Sequence, residues 1–233
     1  MITFPVLLLF GTPAIVANAT STLALVVGTA GSIFGFREHI AEVKPWLPRF
    51  IPVSLLGGGL GSLLLTHTTD RTFSRVVPFL LLFATVLFLA QGFFKRFASR
   101  KMASCETEAF PSRKLAFSMI VQLAVAIYGG YFGAGIGILM LASLGFLGLT
   151  HIHEMNTLKN ILGSLINVVA AVIFIFGGLI DWSKAGVMMI GALGGYLMGA
   201  TYSQKIPQIW VRHIISGVGI VITAVLFYRQ LAG

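Results

Sequence analysis

The sequence predicts an all-α polytopic membrane protein built from two homologous helical repeats, the second inverted, with broken Gly-rich helices. Three observations predict this class: an apolar composition, long runs without charge, and an ordered set of motifs that occurs twice. Of 233 residues, 57% are hydrophobic and only 10% are charged. A soluble domain carries about 25% charged residues. With mean hydropathy at +0.94, too little polar surface is left to clothe a particle in water, so lipid must solvate most of it.

Runs free of Asp, Glu, Lys and Arg cover 1–36, 50–69, 76–94, 115–153, 160–180, 185–204 and 213–228. A spanning helix needs about 20 apolar residues. The first run would make a straight helix of roughly 54 Å, against a hydrocarbon core of about 30 Å. That run and 115–153 must therefore break. The first contains Gly11-Thr12-Pro13, and the second contains Gly129-Gly130-Tyr131-Phe132-Gly133-Ala134-Gly135-Ile136-Gly137. Gly-dense and Pro-containing backbone ends or kinks a helix. The resulting segments are 1–12, 14–36, 50–66, 76–94, 115–130, 132–149, 157–180, 185–203 and 212–229.

The loop 95–114 holds Lys95, Arg96, Arg100, Lys101, Arg113 and Lys114, which places it on the cytoplasmic side, with Arg37, Lys44 and Arg49 beside it. The net charge of +9 belongs to such loops and to the anionic inner leaflet. No basic stripe interleaves with aromatics, so no nucleic-acid partner is expected. The single cysteine, Cys105, lies in the basic loop and forms neither an internal disulfide nor a metal site. The N-terminus has no basic stretch of the kind that opens a cleavable signal peptide. The whole chain, 1–233, reads as one transmembrane domain. Repeat one is 1–97, the cytoplasmic connector is 95–114 and repeat two is 115–233.

The repeat rests on motifs in matching order. Leu55-Leu56-Gly57-Gly58-Gly59-Leu60-Gly61 matches Ala192-Leu193-Gly194-Gly195-Tyr196-Leu197-Met198-Gly199. Phe73-Ser74-Arg75 matches Trp210-Val211-Arg212, and Ala84-Thr85-Val86-Leu87-Phe88 matches Thr223-Ala224-Val225-Leu226-Phe227. Asn18-Ala19-Thr20-Ser21-Thr22 parallels Met155-Asn156-Thr157-Leu158-Lys159. The second half has one segment more than the first. A five-segment unit must invert on repetition, because an odd number of crossings flips the next copy. Charge bias does not decide the orientation, since inverting merely exchanges Lys184 and Arg229 with Lys205 and Arg212. Segment length favours 115–149 returning to the cytoplasmic side.

Polar residues inside spans are costly unless they bond or serve a pathway. Asn156, Asn160, Ser164 and Asn167 fall at i, i+4, i+8 and i+11, on one helical face. The stripe is read either as hydrogen bonding between helices or as the lining of a substrate path. Asn18, Thr22 and Thr29 repeat the spacing in the first half, which favours a path. Lys159 is the only ionisable residue near the stripe. It suits an anion, or snorkels at the interface. The glycines of 129–137, Gly130, Gly133 and Gly135 among them, let backbone approach a ligand or let helices pack. Gly57-xxx-Gly61 and Gly195-xxx-Gly199 read as packing faces. His151, His153 and Glu154 match no metal-site spacing, and Asp181-Trp182 reads as an interfacial turn. No cofactor is expected.

Three function classes compete. A secondary transporter fits the polar stripe, and there is no Walker motif for ATP hydrolysis. An intramembrane enzyme would need a nucleophile with its base, or metal ligands, at membrane depth, and none is present. A non-transporting membrane assembly or accessory protein is the alternative. None of the seven acidic residues sits mid-span, so no carboxylate is in place for proton coupling.

The stretch Gly129–Gly137, with Met155-Asn156-Thr157-Leu158-Lys159-Asn160, Asn167-Val168-Val169-Ala170-Ala171 and Gly178-Leu179-Ile180-Asp181-Trp182, resembles the TauE/SafE sulfite exporter family. Thr3-Phe4-Pro5 and Asn18-Ala19-Thr20 fit the matching repeat. The resemblance covers essentially the whole chain. It implies a multi-pass inner-membrane carrier of a small anion, with sulfite or an organosulfur compound such as a sulfonate as substrate class. It also implies a further helix ahead of the Thr-Phe-Pro. The substrate-binding positions expected are Asn18, Thr22, Gly130, Gly133, Gly135, Asn156, Lys159, Asn160, Ser164 and Asn167.

Overall fold

The computed structural model describes residues 3–35, 43–102, 112–146 and 152–202, with separate helical positions at 217, 220, 221, 223–225 and 228. Among the described residues there is helix and no strand. The helices are α1 (Thr3–Leu9), α2 (Ala14–Gly35), α3 (Leu47–Thr66), α4 (Asp70–Met102), α5 (Ser112–Tyr131), α6 (Ile136–Phe146), α7 (Ile152–Phe176) and α8 (Trp182–Tyr202). The segment expected at 212–229 lies largely outside the described residues, as do Cys105 and His151.

Several boundaries differ from expectation, those of α4 and α7 most. α4 continues to Met102, well into the stretch read as a loop, because Lys95–Met102 is rich in good helix formers. At 33 residues it measures about 50 Å and must project beyond a bilayer core. α7 starts at Ile152, where Glu154 falls in the first turn and favours the positive end of the helix dipole.

The helix ends follow from local chemistry. Gly11 takes φ 73°; its amide donates to the Leu8 carbonyl and that of Thr12 to the Leu7 carbonyl. Gly178 takes φ 65°; its amide donates to Ile175 and that of Leu179 to Phe174. Both are Schellman closures, which need a left-handed residue at that position. Asp181 then caps α8: its Oδ1 accepts the Lys184 amide at 3.1 Å and its carbonyl accepts the Ala185 amide at 2.8 Å.

The bundle has two distinct ends. At one, Val43, Phe50, Leu144, Met155 and Leu158 cluster, with Leu115 and Met119 packed against them. The N-termini of α3, α5 and α7 therefore share an end, and α6 turns back along α5 to reach it. At the other end Phe4, Ala14, Leu65, Phe73, Phe132 and Phe174 cluster. The α2 N-terminus lies here, its Ile15 amide donating to Asp70 Oδ1 at the start of α4. The 95–102 stretch lies far along α4 from Asp70, toward the opposite end.

α3 and α5 approach backbone to backbone at their glycines, and Gln122 Nε2 donates to Ser54 Oγ across the same seam at 3.0 Å. A Cβ at Gly61 would overlap the Ile127 carbonyl, and one at Gly130 would overlap the Gly58 carbonyl. Gly57 faces the Leu123 carbonyl and Ala126. Backbones at this distance gain dispersion contacts that substitute for the absent hydrophobic force in lipid. Around Gly195 an added Cβ would meet nothing within 4 Å among the described residues. The packing face expected at Gly57-xxx-Gly61 is seen, while the surroundings of Gly199 lie outside the described residues.

The surface is apolar and the interior carries the polar groups. Leu56, Leu60, Phe79, Phe83, Phe117, Ile120, Val172, Val187 and Ile190 are exposed, while Asn18, Thr20, Ser54, Gln122, Thr157 and Ser164 are buried. A bilayer inverts the usual preference in this way. Among the described residues, Leu47–Thr66 and Glu154–Phe176 are long and apolar enough to cross a membrane.

Candidate functional site

The Gly-rich stretch breaks between α5 and α6, where Gly133 and Gly135 take φ 77° and 79°. A side chain at either would be strained, because left-handed backbone crowds Cβ. The break frees backbone groups inside an apolar bundle, each costing several kcal/mol if left alone in a bilayer, on the order of a lost hydrogen bond or more. Two carbonyls are satisfied by side chains. Asn18 Nδ2 donates to the Tyr131 carbonyl at 3.1 Å, and the Tyr128 hydroxyl donates to the Ala134 carbonyl at 2.6 Å. The amides of Ala134, Gly135 and Gly137 donate to no acceptor among the described residues. Donors without acceptors at the start of a helix favour a negative ligand.

Rings frame the break. Phe132 meets Phe4 edge-on at 5.5 Å and Phe73 at 6.3 Å, and Tyr131 meets Phe73 at 5.6 Å. The first residues of α1 thereby pack on the break of the second half.

α7 divides into three faces. Met155, Leu158, Leu162, Ile166 and Ala170 are in the core, while Val168, Val172 and Ile175 are exposed. Between them runs the polar stripe, with Asn156, Asn160 and Asn167 half-buried and Ser164 buried. Asn156 Oδ1 accepts from the Lys159 ammonium at 3.3 Å. Asn160 and Asn167 make no hydrogen bond among the described residues, and the Ser164 hydroxyl is buried with no partner.

Lys159 reaches α6. Its aliphatic Cδ lies 3.5 Å from where a Cβ on Gly137 would be, so the glycine makes room for the lysine stem. The cation therefore lies beside the first turn of α6, at the positive end of that helix. Of the expected positions, Gly133, Gly135 and Asn18 gather at the break, and Lys159 with Asn156 joins the start of α6. Gly130 sits in the α3–α5 seam against Gly58. Thr22 bonds back to the Asn18 carbonyl at 2.9 Å, within its own helix.

A second polar cluster escaped the sequence reading. Lys184 Nζ donates to Thr12 Oγ1 at 2.8 Å and pairs with Asp181 Oδ2 at 3.0 Å. The Asp181 amide donates to Thr20 Oγ1 at 3.2 Å. Its sequence signal was slight: an Asp preceding a helix, with Lys three residues on. The Lys184 side-chain hydrogen bond, then the Lys184 backbone amide, hold the Asp181 carboxyl below its ordinary range. A carboxyl depressed in the folded state adds stability above its unfolded pKa, and that contribution is lost as pH falls through the folded value.

The family model for the sulfite exporter TauE/SafE matches residues 1–226. The chain belongs to the TauE/SafE sulfite exporter family. A relative from Haemophilus influenzae described as a "Probable membrane transporter protein" is 27% identical over 234 residues, covering 99% of this chain and 87% of the relative. A "Probable membrane transporter protein ORF9" from a Sinorhizobium species is 28% identical over 241 residues, covering 100% of this chain and 84% of the relative. No solved structure shows a significant match. Family membership agrees with the apolar surface and polar interior: the molecule is a membrane transporter.

Proposed function

We propose that this chain is a multi-pass inner-membrane secondary carrier of a small anion, sulfite or an organosulfur anion such as a sulfonate, received where α6 starts beside the α7 stripe. One observation carries the reading. Half-buried Asn160 and Asn167 lack partners among the described residues, on the helix whose Lys159 lies against the first turn of α6. Unspent amide donors, a cation and the free N–H groups of Gly135 and Gly137 suit oxygens bearing negative charge. The family's description as a sulfite exporter supports the substrate class.

An inverted repeat also fits this site. Asn18 lies one turn into α2 from one end of the bundle, and Asn156 lies one turn into α7 from the other. The return of α6 along α5 is what a five-segment inverted unit requires. Broken helices whose ends meet at mid-depth are the means by which such carriers hold substrates.

Flux in proteoliposomes tests the reading. Sulfite and sulfoacetate should exchange across the membrane. The absence of flux for every small anion tried would return the chain to a non-transporting accessory role. Lys159→Gln should weaken uptake of a dianion more than of a monoanion, because one fixed cation interacts with twice the charge. Equal effects on both would place the ammonium away from the substrate. For orientation, Cys105 should be shielded from impermeant thiol reagents outside intact cells. Ready external labelling would reverse the orientation.

A further inference from the structure

The second polar cluster joins two segments that are far apart in sequence, at the bundle end remote from the 95–102 stretch. Thr12 belongs to the α1–α2 break, and Asp181 and Lys184 begin α8, 172 residues away from it at Lys184. The tie is bracketed by two left-handed glycines, Gly11 and Gly178, where a Cβ would meet nothing within 4 Å among the described residues. The tie adjoins buried polar positions of α2. Thr20 is fully buried and accepts from Asp181, and the Ser21 hydroxyl beside it is buried without a partner.

The bonds suit a catch more than a permanent brace. The Lys184 and Asp181 side chains are 38% and 28% exposed, so water screens the pair and competes for it. Opening also parts the apolar contacts that Leu179, Ile180 and Met188 make with the cluster holding Phe4, Leu7, Ala14 and Ile15. A deeply buried pair would strand charge on opening.

We infer that Lys184 is the catch of a gate: its bond to Thr12 holds the α1–α2 break against the start of α8, and releasing it opens the Thr20–Ser21 side of α2 from this end. The inference rests on reading the chain as a carrier, since only a pathway needs such a gate. Gates of this type move segments about a few backbone hinges. A bond between the two repeats is well placed to sense their relative motion.

Ser21→Cys in a Cys105→Ser background supplies a reporter, because a thiol replaces a hydroxyl that makes no bond. The protein is purified and placed in nanodiscs, and its rate of labelling by an impermeant maleimide is followed. Lys184→Met keeps the stem and removes the cation. Thr12→Val keeps the Lys184–Asp181 pair and removes only the bond across the gate. Both should speed labelling at least fivefold, and Lys184→Arg should restore most of the slow rate. Unchanged labelling in folded Lys184→Met and Thr12→Val overturns the gate. Failure of Thr12→Val to fold overturns it too, since the tie would then be structural. Labelling needs no substrate, so the two readings fail separately. Accelerated labelling in a protein without flux defeats the carrier reading alone. Normal flux with unchanged labelling defeats the gate alone.

Discussion

Gly61→Ala is expected to abolish most of the folded protein. The added methyl would occupy the position of the Ile127 carbonyl and crowd the Tyr131 amide at 2.8 Å. Both are backbone atoms of α5, so no rotamer change relieves the clash. The helices must separate, and the seam that includes Gly57 and Gly130 separates with them. Overpacking commonly costs about 1–3 kcal/mol. A clash between two backbones along one seam belongs at or above the top of that range. For a chain of this size each kcal/mol moves Tm by about 2–4 °C, so detergent-solubilised Gly61→Ala should melt at least about 6 °C below the parent, or fail to purify as one species. Gly195→Ala is the control. Its Cβ meets nothing within 4 Å among the described residues, and alanine raises helix propensity by up to about 1 kcal/mol. Its melting should match or exceed the parent. Equal melting of both variants would contradict the seam.

Much of this architecture was legible because it depends on local chemistry. Charge-free runs located α2, α3, α5, α7 and α8, since lipid tolerates few charges over a helix length. Gly11-Thr12-Pro13 and Gly129–Gly137 announced breaks, because left-handed turns and missing donors act on the nearest few residues. The polar face of α7 was legible for the same reason: a period of 3.6 lies in the sequence itself. The overextended α4 was hidden because the basic residues that end a membrane run are also good helix formers. Long-range pairing was hidden altogether. Nothing near Asn18 says that its amide closes a carbonyl 113 residues away. Lys184 reads locally as an interfacial lysine, yet it reaches Thr12 across 172 residues. Lys159 posed the same difficulty: only the third dimension sets its stem against Gly137. Glycine pairs look alike in sequence, whether or not a carbonyl waits opposite, as one does at Gly61.

Asn160→Ala and Asn167→Ala are expected to stop transport while leaving stability nearly untouched. Neither amide bonds to a described residue, so truncation strands no partner among them. That separates them from Asn18, whose loss would expose the Tyr131 carbonyl at the break and cost about 1–3 kcal/mol for an unsatisfied buried group. Melting of the α7 variants in detergent should therefore stay near the parent, while Asn18→Ala melts lower. Transport should respond in the opposite sense. An anion leaving water must exchange its hydration for protein donors, and each lost amide removes part of that exchange. A charge-assisted hydrogen bond contributes about 1.5–3 kcal/mol, and 1.4 kcal/mol is a factor of ten in affinity or rate. Anion flux through Asn160→Ala or Asn167→Ala should fall at least tenfold. The double variant should fall less than the product of the singles if both amides hold the same ion, since neighbouring groups couple. Parental flux in both single variants, with lowered melting, would make the stripe a structural bond between helices. Independent effects that multiply in the double variant would put the two amides at separate stations along the path.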